Sequence, residues 1–309
     1  MKEQCLTPKL AFRLAAPHSW LAAIYPALFG ELYCLLAGDV LSLGTGAALL
    51  GACVLMQSTV NTLNDYFDFV KGADSADDCV EVSDAVLVYE HIAPKQALAL
   101  GIGYLAAAVL LALPVILSAG PAPFLVGVIG AAAVLAYSGG AVSISYLPVG
   151  ELVSGVVMGG LIPLGIVAAV RGTLDAAVMA AALPFIMGIG LIMMTNNICD
   201  IEKDRRVRRC TLPVLLGRQK AVRCYRAAVV LWMLLLCVVP VVYAGLWGLI
   251  TPVLVVLVSR GAFAFLLRSP LVPNNRIRQM KGILKGNLLG NGTYLLMMTG
   301  MWIGGMLHG

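Results

Sequence analysis

Charge is what this chain has least of. Asp, Glu, Lys and Arg make up 12% of its 309 residues, about half the share usual in a soluble domain. By contrast 60% of it is hydrophobic, and the mean hydropathy is +0.92. No polar stretch is long enough to enclose a core of its own, so the composition excludes a separate soluble domain and defines an integral membrane protein. The cysteines (Cys5, Cys34, Cys53, Cys79, Cys199, Cys210, Cys224 and Cys237) include no CxxC pair, and His18, His91 and His308 lack ligand spacing. Both patterns argue against a zinc site or a disulfide framework. A net charge of +5 would suggest nucleic acid in a soluble protein. Here the basic residues fall between apolar runs, where orientation in a bilayer explains them and no nucleic-acid partner is implied. The basic N-terminal stretch, residues 1–13, leads into an apolar run that continues through Pro26, which argues against a cleaved signal segment.

What is present is a series of apolar runs of membrane-crossing length, about 20 residues each. Spans are expected near 17–37, 43–66, 95–118, 122–141, 149–170, 176–198, 220–243, 247–267 and 284–307. The fold class is therefore all-α: a multi-pass membrane protein of nine transmembrane helices, with residues 1–309 as a single domain. With the N-terminus in the cytoplasm, every Lys and Arg except Arg171 falls on the inner side or in an inner half-span, as the positive-inside rule requires. That places the protein in the cell membrane with its N-terminus and site-bearing loops cytoplasmic. An Asn-Asp cluster closes span two and another closes span six. This spacing suggests a pseudo-repeat of two four-helix units plus a ninth helix.

These clusters carry the chemistry. Residues at i, i+3, i+4 and i+7 share one helix face. Asn61, Asn64, Asp65 and Asp68 keep that spacing at the end of span two, and Asn196, Asn197, Asp200 and Asp204 form the second stripe at the end of span six. Gly72 breaks the first helix and lets Asp74 fold back. Facing carboxylates repel unless cations lie between them, and Mg²⁺ prefers carboxylate oxygens shared with substrate phosphates. Mg²⁺ carrying a diphosphate is the expected occupant. Lys71 lies beside the first cluster, and Lys203, Arg205, Arg206, Arg208 and Arg209 crowd the second, as suits a polyanionic ligand.

Asn64-Asp65-Tyr66-Phe67-Asp68, with Gly72 and Asp74, resembles the first Asp-rich motif of the UbiA superfamily of intramembrane prenyltransferases. Asn196-Asn197 with Asp200-Ile201-Glu202-Lys203-Asp204, followed by Thr211 to Gly217, resembles the second, and is most similar to the dihydroxynaphthoate prenyltransferase (MenA) branch of menaquinone synthesis. The resemblance implies a helical bundle around a central cavity and Mg²⁺-dependent transfer of a polyprenyl group from its diphosphate to an aromatic acceptor, 1,4-dihydroxy-2-naphthoate in that branch, with loss of the ring carboxylate. Its metal ligands carry over to Asn64, Asp65, Asp68, Asp74, Asp200 and Asp204, with Asp68 and Asp200 also counted as catalytic. Asn61, Lys71, Asn197 and Arg209 become substrate-binding candidates. Tyr137 resembles a family tyrosine near the reacting centre; an interfacial aromatic anchor is the other reading of it.

The chain departs from the family pattern at several positions. Cys199 stands where the branch usually has Arg, Arg208 where Gly is usual, and Ala16-Pro17 where Arg-Pro is common, leaving Arg13 to substitute. Two alternatives stay open: a different aromatic acceptor, or a secondary transporter, which would also explain repeats and intramembrane acids such as Glu31. Glu151 opens span five, where an acid suits the helix dipole. Prenyl length and oligomeric state are not encoded legibly.

Overall fold

The structure is a computed structural model in which residues 5–73, 85–140 and 143–308 are described and every regular element among them is helical. Thr7 accepts the Leu10 amide and opens α1 (Pro8–Leu14), the usual task of a threonine N-cap. A turn at Pro17–Ser19 then leads into α2 (Leu21–Leu36), and the two parts meet at a 62° bend. Ser42 caps α3 (Leu43–Val70) by accepting from Thr45. Gly72 closes this helix in the left-handed region, φ +66°, while the Ala73 amide returns to the Asp68 carbonyl at 2.8 Å, a glycine C-cap.

After the short α4 (Val86–Glu90) come α5 (Pro94–Ala119) and α6 (Pro121–Ser138). Both begin on proline, whose missing N–H is harmless in a first turn. Next are α7 (Gly150–Ser154) and α8 (Ile162–Arg171), joined through a π-helical stretch at Gly155–Leu161. They are followed by α9 (Ala177–Ala181), α10 (Leu183–Cys199), α11 (Ile201–Arg206) and α12 (Leu212–Leu216). The chain ends with α13 (Arg218–Ala244), α14 (Ile250–Leu254), α15 (Arg260–Arg268) and the long α16 (Arg276–His308).

Among the described residues five helical segments are long and apolar enough to cross a bilayer, or six if the bent pair counts as one span. That is fewer than the nine crossings expected from hydropathy. Arg218–Arg268 counts once although it runs for 51 residues, more than twice a single crossing. α10 has only 17 residues, and Asn287, Asn291 and several glycines dilute the apolar content of α16.

Two packed groups flank a central cavity. On one side α2, α10, α13 and α16 share the largest buried cluster, centred on Phe29, Phe185, Trp232 and Tyr294. On the other, α3 packs along α5 and α6. Between bilayer helices the drive is close packing rather than expulsion of water, so small residues sit at the contacts. The π stretch lies so near α10 that a Cβ on Gly159 would fall 2.4 Å from the Ile186 amide nitrogen, and one on Gly155 2.6 Å from the Ile186 carbonyl oxygen. Gly159→Ala is therefore expected to lower stability in detergent by about 1–3 kcal/mol. Gly103→Ala, where nothing lies within 4 Å, should be neutral or gain up to about 1 kcal/mol. Thermal unfolding of both variants checks this pair of outcomes.

Candidate active site

A cavity of about 570 Å³ runs between the two helix groups. Its walls follow α3 from Leu49 to Asp68, roughly 28 Å at the helical rise. Val60, Ala112, Ile116, Phe124 and Leu161 make most of it apolar, and one end is polar. The first stripe keeps the expected helical face: Asn61, Asn64, Asp65 and Asp68 all line this cavity. The second stripe does so only in part. Asn196, Asn197 and Asp200 line it, but α10 ends at Cys199 and α11 restarts at Ile201 across a break at Asp200 (φ −97°, ψ 11°). The break turns Asp204 off the cavity wall, so the expected i, i+4 continuation to Asp204 is interrupted.

Asp204 backs the site instead. It is 1% exposed, accepts from Thr211 at 3.1 Å and lies 3.7 Å from the Arg209 guanidinium. Burial pushes its carboxyl up to about 7, against the pull of Arg209 and Thr211. Arg209 in turn donates from Nη2 to Asp68 Oδ1 at 2.7 Å and rests over the Tyr146 ring at 4.7 Å. A single buried guanidinium thus spans both Asp-rich motifs. Its place in the chain follows a constrained residue: Arg208 has φ +56°, the left-handed region that glycine occupies without strain. Arg208 is exposed and brings the backbone round so that the Arg209 amide meets the Asp204 carbonyl at 2.8 Å.

The remaining candidates divide into those on the cavity wall and those off it. Asn64 donates to Asp68 Oδ2 at 3.1 Å and accepts from Ser138. Asp65 accepts the Val86 amide at 2.8 Å and so pins α4. Asn61 holds the start of the chain to α3 through the Ala15 carbonyl and the Ser19 hydroxyl, both at 2.8 Å. Tyr137 is partly buried and lines the cavity. Lys71 is not on the cavity wall: its ammonium donates to the Ser138 carbonyl and the Ser143 hydroxyl. Arg13 is likewise off the wall, paired with Glu90. Asp74 lies outside the described residues.

Two further cations stand on the wall. Lys203, noted only as one of a basic run, is 9% exposed and faces the cavity. Arg276 comes from the first turn of α16, far in sequence from either motif. It is 7% exposed, clasps Asp200 from Nε at 3.0 and 3.3 Å, and also reaches Asn196 Oδ1. Cys199 points the other way, its thiol bonded to Gln279 inside the helix packing. The only sequence signal for Arg276 is its position at the mouth of the last apolar run.

The donor set suits a divalent cation shared with a ligand rather than caged by protein. Among the described residues no three or more His, Cys, Asp or Glu side chains group as a metal site. Yet Asp65, Asp68 and Asp200 line one end of the cavity together with Lys203, Arg209 and Arg276. Carboxylates and cations balance there, so an entering polyanion needs cations of its own. Mg²⁺ binds in just this manner, through one or two carboxylates plus substrate phosphate oxygens. Asp68, Asp200 and the asparagine amides of the two stripes are the residues placed to contribute.

Comparison with known proteins agrees with this architecture. The chain belongs to the UbiA prenyltransferase family, whose model matches residues 23–280. The 1,4-dihydroxy-2-naphthoate octaprenyltransferase of Bacillus subtilis (strain 168) is 31% identical over 214 residues, 69% of this chain and 68% of its own. The human UbiA prenyltransferase domain-containing protein 1 is 27% identical over 70% of this chain, and the match spans 62% of the human protein. Among solved structures, a UbiA homolog from Archaeoglobus fulgidus bound to GPP and Mg²⁺ has the same fold, with a TM-score of 0.63, 17% identity, and coverage of 94% of this chain and 99% of its own. The apo UbiA homolog from Aeropyrum pernix K1 gives 0.62 at 17% identity, over 89% and 97%. The chain is thus a helical membrane prenyltransferase.

Two substitutions test the bridge. Arg209→Ala strands Asp68 and Asp204 in a buried setting and should cost about 3–5 kcal/mol. Arg208→Gly relieves the left-handed backbone and should gain about 1 kcal/mol. Denaturation midpoints in detergent, compared with wild type, read both.

Proposed function

We propose that this protein transfers a polyprenyl group from its diphosphate to an aromatic acceptor, 1,4-dihydroxy-2-naphthoate, with Mg²⁺ as the accompanying cation. One observation carries the reading: residues of both Asp-rich motifs line the polar end of a single cavity whose remaining length is apolar. The headgroup occupies the polar end and the isoprenoid tail lies along α3. The acceptor's identity draws support from the naphthoate enzyme named among the relatives and from the Thr211 to Gly217 stretch. Mg²⁺ draws support from the homolog bound to GPP and Mg²⁺ and from the donor set described above.

When bound, the divalent cation neutralises charge that builds on the diphosphate as it leaves. The residues supply the rest. Asp68 and Asp200 hold the cation side of the headgroup, and Lys203, Arg209 and Arg276 bind phosphate oxygens, where preformed charge is most effective in a dry site. The allylic carbon–oxygen bond breaks, a ring carbon of the acceptor forms the new carbon–carbon bond, and the ring carboxylate departs as CO₂. The apolar walls keep water from the allylic cation. Tyr137 lines the same cavity, which supports assigning it to that centre. The topology proposed is a cytoplasmic N-terminus and a cytoplasmic cavity mouth. In support, beyond residue 204 the Lys and Arg are confined to 205–226 and 260–285, with none in the apolar stretches 227–259 and 286–309, the clustering expected of inner-face segments.

In membranes given a prenyl diphosphate, dihydroxynaphthoate and Mg²⁺, mass spectrometry should detect the prenylated, decarboxylated product. Asp68→Ala and Asp200→Ala should each reduce turnover by at least about 100-fold, and chelation of divalent ions should abolish it until Mg²⁺ is returned. Full activity in either variant would refute the assignment of the headgroup site. Product formed only with another aromatic acceptor would move the substrate within the family.

A further inference from the structure

Glu151 is a buried acid without an obvious structural need. It is 7% exposed at the start of α7, beside α10. Its Oε1 accepts from Asn197 Nδ2 at 2.8 Å, and its Oε2 takes no hydrogen bond among the described residues. Burying a carboxylate is expensive, and helix-dipole compensation at an N-terminus is worth only about 0.3–1 kcal/mol at an exposed site. The acid therefore needs another explanation.

The bond it makes has a direction. A carboxylate can only accept, so it receives the NH₂ side of the Asn197 amide and leaves the carbonyl facing the other way. Asn197 lines the cavity, so its Oδ1 is turned inward. The other asparagines of the two stripes differ in this respect. Asn61 Oδ1 accepts from Gln57, Asn64 Oδ1 from Ser138, and Asn196 Oδ1 from Arg276. Among the described residues Asn197 alone of the four presents a carbonyl with no protein donor on it.

We infer that Glu151 is a positioning residue: it fixes the Asn197 amide so that Oδ1 serves as an oxygen ligand for the divalent cation that accompanies the diphosphate. The inference deepens the proposed function and rests on it. It assigns a part to an acid outside both motifs, and it makes Asn197 a cation ligand rather than a contact to the prenyl substrate.

The test needs no turnover. Purified protein in detergent is titrated with Mg²⁺ in the presence of geranyl S-thiolodiphosphate, a slowly reacting analogue, and the Mg²⁺ midpoint of thermal stabilisation is read. Loss of a partner that orients a metal ligand typically weakens affinity about 10- to 100-fold, so Glu151→Leu should raise the midpoint by that factor. Glu151→Gln keeps an acceptor oxygen for Asn197 and should stay near wild type, which a role through charge would not allow. Asn197→Ala should raise the midpoint as Glu151→Leu does, and the double variant should add nothing further. Melting without Mg²⁺ separates a folding defect from a binding one. Should the Leu variant fail to fold, Glu151→Gln and Asn197→Ala decide. A wild-type midpoint in Asn197→Ala or in folded Glu151→Leu, or a Gln variant as weak as the Leu variant, overturns the inference. Wild-type protein that gains no stability from Mg²⁺ and the analogue would instead overturn the reading of the site itself.

Discussion

Arg209 is the residue on which the site's geometry turns. Asp68 ends one helix of the bundle and Asp204 sits in a short helix beyond another, and this guanidinium meets both. In a low-dielectric setting the two acids would repel each other, and an unpaired buried charge is costly. Placing one positive group between them lets helices from the two packed groups bring their acidic ends to one cavity. The strained residue before it, the Tyr146 ring beneath it and the amide bond to Asp204 all hold the guanidinium in place. Arg276 repeats the arrangement for Asp200, reaching in from α16.

This counter-ion design has a chemical consequence. Asp68 and Asp200 each already face a guanidinium, so the protein alone is not a metal cage, and its donor set is one that a diphosphate can complete. Diphosphate oxygens can draw the arginines while cations draw the carboxylates, an exchange of partners with little net change in buried charge. The apolar remainder of the cavity suits a tail that would not leave the bilayer, and the same walls exclude water from the reacting carbon. Fold, charge and substrate class are thereby joined by one requirement: polyanion chemistry carried out inside a hydrophobic medium.

Much of this was legible in the sequence. The helical fold class followed from the apolar runs, and the face formed by Asn61, Asn64, Asp65 and Asp68 followed from spacing alone, because α3 is unbroken through those positions. The second stripe was misjudged at Asp204 because a helix break at Asp200 has no strong punctuation such as Gly or Pro. Lys71 was a candidate because it lies beside the first cluster and Arg13 because it could substitute for the family's Arg-Pro arginine, yet the side chains reach other partners: the loop at Ser138 and Ser143 for the first, Glu90 for the second. Neither the place of Arg276 on the cavity wall nor the contact of Glu151 with Asn197 was legible, since long-range packing brings both about. The departure at Arg208 was visible, and its left-handed backbone now gives it a physical meaning.

The most direct measurement is an experimental structure of the protein with Mg²⁺ and a non-reacting prenyl diphosphate analogue. The account predicts the headgroup between Asp68 and Asp200, within reach of Arg209 and Arg276, with the tail following α3 toward Leu49. A headgroup bound to one motif alone, or a tail leaving the cavity by another route, would contradict it.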